Sequence, residues 1–386
     1  MSIITGNLKS LLTIKFKPRH DTFTDQFNRI FMVKMAMVAS FLLGLNWFKD
    51  TITCIVPASA GIDKGYVAQG CWIQGFYIYK ELKRVPGLLG YYGVPKDIYQ
   101  DGMFEDGTLC KSSEKNCIPM TKTFYLQYQW FPFYIASLGL LYYFPYIVFR
   151  FVNTDLISLR TSIKAINVNI DDLVKNYFNY QINPPNRMRM RLFGNLGVKL
   201  SYLIVNVVAF TVTDGLINND FGSYGFKWLG WSKGTNQESY DYTASRGSYK
   251  AGEVLLPNFG FCDLLEISQD IKQTTFNNHR FVCEISQNIL YQYVLVILWF
   301  LYIIGMIISS IGFLWKLVNH FILVGFLYQG SEAKKVYEML TFREREYLEF
   351  VRKKNMTIYG ELIRKLKDDR LRDVATLKLL EDSTGF

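Results

Sequence analysis

Four stretches of this chain are apolar for about the length of a membrane crossing. From Trp130 to Phe149 there is no charged residue, and the first charge beyond is Arg150. Roughly 20 residues rising 1.5 Å each cross the ~30 Å hydrocarbon core of a bilayer. Ile30–Phe48 is interrupted only by Lys34, and Val198–Ile217 carries Lys199 near one end and Asp214 near the other. Ile289–Trp315 is uncharged throughout and long enough to span with a tilt. A buried helix in a large soluble core would need polar positions along its length, and 130–149 has no charge anywhere. The pattern predicts membrane-spanning helices over 30–48, 129–149, 198–217 and 289–315. They are joined by loops 49–128, 150–197 and 218–288 and flanked by segments 1–29 and 316–386. Tyr128 and Trp130 are expected at one headgroup level and Arg150 at the other. Residues 1–29 carry Lys9, Lys15, Lys17 and Arg19 but no cleavable apolar core, so the first span is expected to insert as it stands.

The polar segments have patterns of their own. Val336, Met339, Leu340, Tyr347, Phe350 and Val351 approximate helical spacing and predict a helix over Ser331–Lys353, with Ser331 as its N-cap. A second amphipathic stretch runs from Thr357 to Leu380. Both are expected to pack beneath the membrane with the middle loop as a helical dome. VPGLLGYYGVP, residues 85–95, is punctuated by Gly and Pro and predicts turns without a regular element. Pro132, two residues beyond Trp130, lacks an N–H and is expected to kink the second span or set its first turn.

Composition agrees with four spans: half of the residues are hydrophobic and 16% are aromatic. Charge then orients them. Lys and Arg outnumber Asp and Glu by five to two in 1–29, by eight to three in 150–197 with Lys199, and by fourteen to eleven in 313–386. The loops are near balance, at nine to eight in 49–128 and six to eight in 217–286. The positive-inside bias places both termini and the middle loop in the cytoplasm. A formal net charge of +10 is then topology and attraction to anionic headgroups, with no need for nucleic acid. All six cysteines, Cys54, Cys71, Cys110, Cys117, Cys262 and Cys283, fall in the two outer loops, as disulfides on the oxidising side would. Six cysteines allow 15 pairings, and their positions do not choose among them. No metal is predicted, because there is no CxxC and His20, His279 and His320 are scattered. Neither a catalytic fingerprint nor a phosphate-binding loop occurs, so no enzyme and no cofactor are expected.

At the entry to the second span stands Gln127-Tyr128-Gln129-Trp130-Phe131-Pro132. It is similar to the Tyr-Tyr-Gln-Trp-Val-Pro signature of the innexins, the gap-junction proteins of invertebrates, which are related to pannexins. Four of six positions agree, the mark of a divergent member. Ile52-Thr53-Cys54, Gly70-Cys71-Trp72 (for the family's Tyr-Cys-Trp) and Leu298-Trp299-Phe300 strengthen the resemblance, which covers about residues 20–316. Two cysteines per outer loop is the innexin and pannexin count, whereas connexins place three. The resemblance implies an all-α integral membrane protein with four transmembrane helices. Its extracellular loops are disulfide-bonded with some β structure, its cytoplasmic dome is helical, and its subunits form a ring of eight, as in innexins, or seven, as in pannexins. It implies bridges Cys54–Cys283 and Cys71–Cys262, leaving Cys110 with Cys117 to staple an insertion. It implies a pore funnel from Ser2, Ile3 and onward to Lys9, and an outer constriction near Ile62, Asp63 and Lys64. Lys34 either faces that pore or snorkels to the cytoplasmic interface.

The resemblance implies a large-pore channel subunit at the plasma membrane that passes ions and small metabolites in one of two modes: docked with an opposing hemichannel of a neighbouring cell, or open as a pannexin-like hemichannel. A non-conducting four-span scaffold is the alternative class. Neither outer loop contains an Asn-x-Ser/Thr acceptor that would place a glycan between apposed rings. Asn355-Met356-Thr357 matches that pattern on the cytoplasmic side, where it is expected to be silent.

Overall fold

The computed structural model describes residues 22–47, 52–58, 61–84, 89–165, 168–179, 182–233, 250–269, 274–326, 336–337 and 340–368. Ser2, Ile3, Lys9, Ser331 and the stretch 369–380 lie outside them. Among the described residues four helices are long and apolar enough to cross a membrane: Phe23–Leu45, Gln127–Val152, Pro185–Leu216 and Gln287–Val318. These helices run beyond the charge-free windows, because backbone hydrogen bonding continues where the apolar sequence stops. The chain divides into two compact units. One is Met1–Val33, Leu140–Val207 and Ile304–Phe386, and the other is Lys34–Gly139 and Val208–Ile303.

The second of these units contains most of the β structure. β1 (Thr53–Cys54), β2 (Phe76–Tyr79) and β8 (Lys122–Tyr125) come from the first loop, and β9 (Phe259–Gln269) and β10 (Thr274–Glu284) from the second. They form one antiparallel sheet in the order β1-β10-β9-β2-β8, so the two loops share a single sheet. Its register sets Cys54 opposite Cys283. Phe76, Tyr77, Ile78 and Tyr79 are all buried, with Phe261 and Cys262 beside them. Gly260 allows the close approach, since a Cβ there would come within 2.1 Å of the Phe76 ring.

Between β2 and β8 lies the insertion. Residues 85–95 are not all turn: β3 (Leu89–Tyr91) pairs with β4 (Val94–Pro95). The intervening Gly93 has φ +71°, a conformation that glycine adopts without a Cβ penalty. β5 (Gly102–Met103), β6 (Leu109–Cys110) and β7 (Ile118–Pro119) make a separate three-stranded sheet.

The other unit buries a core of helices. α1 (Thr154–Ile163) and α2 (Ile170–Tyr177) lie in the middle loop, and α3 (Phe342–Lys354) and a helix over 356–368, α4, lie in the tail. Leu159, Leu348, Val351 and Leu362 are fully buried in their common core. The tail helix does not run unbroken from 331. It starts after Thr341, whose backbone N–H donates to the Glu344 carboxylate at 2.7 Å. This capping box satisfies N-terminal donors that would otherwise have no intrahelical partner. Arg352, Lys353 and Lys354 suit the negative end of the helix dipole.

Candidate functional site

The residues implied as an outer constriction sit at the start of one short helix, α5 (Lys64–Gln74). Asp63 is its N-cap and accepts the Tyr66 N–H at 2.9 Å. Asp63 and Lys64 are exposed and Ile62 is half-buried. On the opposite side Val67 and Cys71 are fully buried. Gly75, at φ +84°, ends the helix and donates its N–H to the Cys71 carbonyl at 3.0 Å. A capped start and a glycine stop thus define the element locally.

The motif at 127–132 holds the far end of this helix. The Tyr128 hydroxyl donates to the Trp72 carbonyl at 2.7 Å, and Gln129 Nε2 donates to the carbonyls of Trp72 at 2.6 Å and Ile73 at 3.1 Å. These are last-turn carbonyls, which lack helical partners. Tyr128 is only 1% exposed, so it is a buried cap and not part of a headgroup belt. Trp130 is half-buried and lies edge-on to Tyr134.

Pro132 lies inside the helix Gln127–Val152, called α6 below, without ending it. A proline at that position removes the donor for the Tyr128 carbonyl, four residues earlier. The Tyr291 hydroxyl donates to that carbonyl instead, at 3.2 Å. The Pro132 carbonyl itself accepts from Ser40 at 3.0 Å.

Disulfides join the same elements. Cys54 is bonded to Cys283, Cys71 on α5 to Cys262 on β9, and Cys110 to Cys117. The sulfurs of Cys54, Cys71 and Cys283 lie within 4.8 Å of one another, so the two cross-loop bridges are neighbours. As disulfide sulfurs they are not the thiolates that a soft metal ligates.

A charged cluster fixes the five-stranded sheet to the insertion. Asp263 accepts from the Tyr77 hydroxyl at 2.8 Å, from Lys122 at 2.6 Å and from Arg280 at 3.0 Å. Burial alone would raise its carboxyl, but the hydrogen bonds from Lys122, Arg280 and Tyr77 hold it below the usual range. Arg280 also donates to the Ile98 carbonyl at 3.1 Å, which ties the insertion to β10.

Lys34 is half-buried near the start of the α-helix Val33–Trp47. The six turn-forming residues before it, Phe27–Met32, are π-helical. Asn28 in that segment donates to Ser309 at 2.9 Å, and Asn206 donates to Asn28 at 2.8 Å. Tyr142 donates to Asn206 at 2.9 Å. One buried polar network therefore draws a residue from each of the four long helices. The signal for it was a lone Asn or Ser in an otherwise apolar run, since polar groups there need partners across helices. Lys199 is paired with Asp25, and both are at least 95% buried. Asp214 accepts the Gly222 N–H at 2.7 Å and so closes the turn after its helix.

The geometry is that of two loops sewn into one sheet, with a motif at 127–132 clamping a short helix. Among curated proteins none matches this chain. The innexin family model matches residues 21–380, which extends the likeness through the tail. Four long apolar helices, the 127–132 motif and a match over nearly the whole sequence place the chain in the innexin family.

Proposed function

We propose that this chain is the subunit of a large-pore channel, assembled as a ring and passing ions and small metabolites. Both termini and 150–197 face the cytoplasm. The rings dock across two membranes as a gap junction. Family membership supports the channel, and one feature of this chain supports the assignment of its outer mouth. The family motif, through Tyr128 and Gln129, and the Cys71–Cys262 bridge converge on α5, whose exposed start carries Asp63 and Lys64. A constriction must keep its dimensions while solutes pass, and a helix tied at one end and stapled through its buried face does so. In this reading Ser2, Ile3 and Lys9 line the inner funnel.

The near-balanced charge of the two outer loops and the absence of glycan acceptors support docking. The exposed insertion, with Glu105, Asp106, Lys111, Glu114 and Lys115 at its surface, favours the second reading, an undocked hemichannel.

Dye transfer between paired cells that both express the chain, scored beside dye uptake by isolated cells, separates these readings. Transfer between pairs is expected. Uptake without transfer leaves the hemichannel, and neither one leaves a scaffold without a pore. Charge reversal at the outer mouth, Lys64→Glu, is expected to shift permeability toward cations with little loss of surface expression. Unchanged reversal potentials in Lys64→Glu cells would remove α5 from the pore.

A further inference from the structure

The nine-residue helix Tyr224–Ser232, α7 in the numbering used here, follows closely on the membrane-length helix that ends at Leu216. By position it belongs to a loop exposed to water, yet its sequence YGFKWLGWS is dominated by aromatic and aliphatic residues. Phe226 is 68% exposed and Leu229 42% exposed, on one side of the helix with Gly230. Lys227 and Lys233 are exposed beside them. The opposite side lies flat on the long helix Gln287–Phe326. Gly225 is so close to Trp299 that a Cβ would fall 2.1 Å from its ring. The Trp299 indole N–H donates to the Gly222 carbonyl at 3.1 Å, and the Phe226 ring meets Trp299 at 4.9 Å between centroids.

Trp299 is what sets the level of this helix. It stands three residues before Tyr302, whose hydroxyl meets that of Thr213 at 3.2 Å, so it is level with the end of the apolar stretch Val198–Ile217. An element docked there is at the depth where a spanning helix passes from headgroups into hydrocarbon, the level that tryptophan favours. Ile297 and Ile304, on the same long helix, are themselves 52% and 44% exposed. The outward face of Phe226 and Leu229 therefore continues an apolar surface of a membrane-spanning helix. Lysines flanking such a face can extend their ammonium groups to phosphates while the stems stay in apolar surroundings.

We infer that Tyr224–Ser232 is an interfacial membrane helix, with Phe226 and Leu229 inserted among the acyl chains of the outer leaflet and Lys227 and Lys233 at the phosphates. The inference rests on the reading of Gln287–Val318 as a membrane span. It predicts that the second loop grips the bilayer directly beside the fourth span.

All six native cysteines are in disulfides, so an introduced cysteine is the one reactive thiol. Phe226→Cys and Leu229→Cys proteins, spin-labelled and reconstituted as the whole chain in phosphatidylcholine vesicles, are compared by collision with oxygen and with a water-soluble nickel chelate. Leu140→Cys, at a 71% exposed position on α6, serves as the lipid reference, and Asp106→Cys as the aqueous one. The labels at 226 and 229 are expected to favour oxygen over nickel and to report depths of roughly 5–10 Å below the headgroup boundary. Labels as accessible to nickel as the one at 106 would overturn the inference. So would labels shielded from both reagents, which would mean that protein covers the face. If the label at 140 reads as lipid in either case, the reading of the long helices as a membrane-embedded set stands and only the interfacial helix falls. If the label at 140 reads as water, both fall.

Discussion

Tyr128 combines a sequence signature with a specific physical task. Its hydroxyl caps the last turn of α5, and its carbonyl, deprived of a helical donor by Pro132, is served by Tyr291. The hydroxyl and the carbonyl of one buried residue are thereby accounted for. Tyr128→Phe keeps the ring against Phe76 and removes only the hydroxyl. The expected loss is about 0.5–1.5 kcal/mol, the net worth of one such hydrogen bond, provided Gln129 still serves the Trp72 carbonyl. Thermal unfolding of the detergent-solubilised protein measures it. An unchanged midpoint would mean that the hydroxyl cap contributes nothing. Pro132→Ala supplies the missing donor to Tyr128 and is expected to be tolerated far better than Tyr128→Ala, which opens the packing as well.

At the scale of elements, α5 and the shared sheet are held by bridges of very different reach. Cys54–Cys283 and Cys71–Cys262 join residues 229 and 191 apart, whereas Cys110–Cys117 spans 7. In the loop-entropy model either long closure taken alone contributes about 5 kcal/mol and the short one about half of that. Cys71→Ser with Cys262→Ser is expected to abolish assembly, while Cys110→Ser with Cys117→Ser leaves protein that still folds and oligomerises. Size-exclusion profiles of the two double variants check this ordering, and equal profiles would contradict it. The long helices show the complementary device. Asn28, Tyr142, Asn206 and Ser309 satisfy one another where water is excluded, beside a π-helical segment that turns Asn28 into the network. Such hydrogen bonds are worth about 0.6–2 kcal/mol each in a membrane, enough to set helix register without dominating stability.

At the scale of the molecule, charge is concentrated where the middle loop meets the tail. Arg343, fully buried, pairs with Asp155 at 2.8 Å and with Glu346, and Glu346 also pairs with Lys316. Burial would raise the Glu346 carboxyl, but Lys316 and Arg343 outweigh it and hold the carboxyl at about 2 against an ordinary 4.5. Burial opposes the same effect at Asp155, where Arg343 and Tyr347 prevail and the carboxyl is also lowered. Carboxyls lowered in the fold contribute stability that is complete above their unfolded values and is lost as pH falls through the folded ones. Stability of this helical unit is therefore expected to drop between about pH 4.5 and about pH 2. For Glu346 alone the change is on the order of 3 kcal/mol. Helical content followed by circular dichroism through an acid titration tests it, with Glu346→Gln as the comparison. That variant should start less stable at neutral pH and lose less on acidification, and parallel curves would refute the role of Glu346.

What the sequence determined by itself was what can be judged along one dimension. Four crossings were legible because a bilayer demands an uncharged run of a certain length, whatever lies elsewhere in the chain. The family was legible because Tyr128, Gln129, Trp130 and Pro132 stand together. Even the helix start at Thr341 was present as a Thr-x-x-Glu pattern that the longer apolar periodicity from 331 masked. Tertiary structure decided everything that depends on residues far apart. Only the register of β1 against β10 puts Cys54 opposite Cys283, and only the approach of α6 to α5 turns a surface-seeming tyrosine into a buried cap. The depth of Tyr224–Ser232 is of the same kind, because it is set by Trp299, a residue more than sixty positions away, and a loop's sequence contains no measure of distance from its neighbours in space.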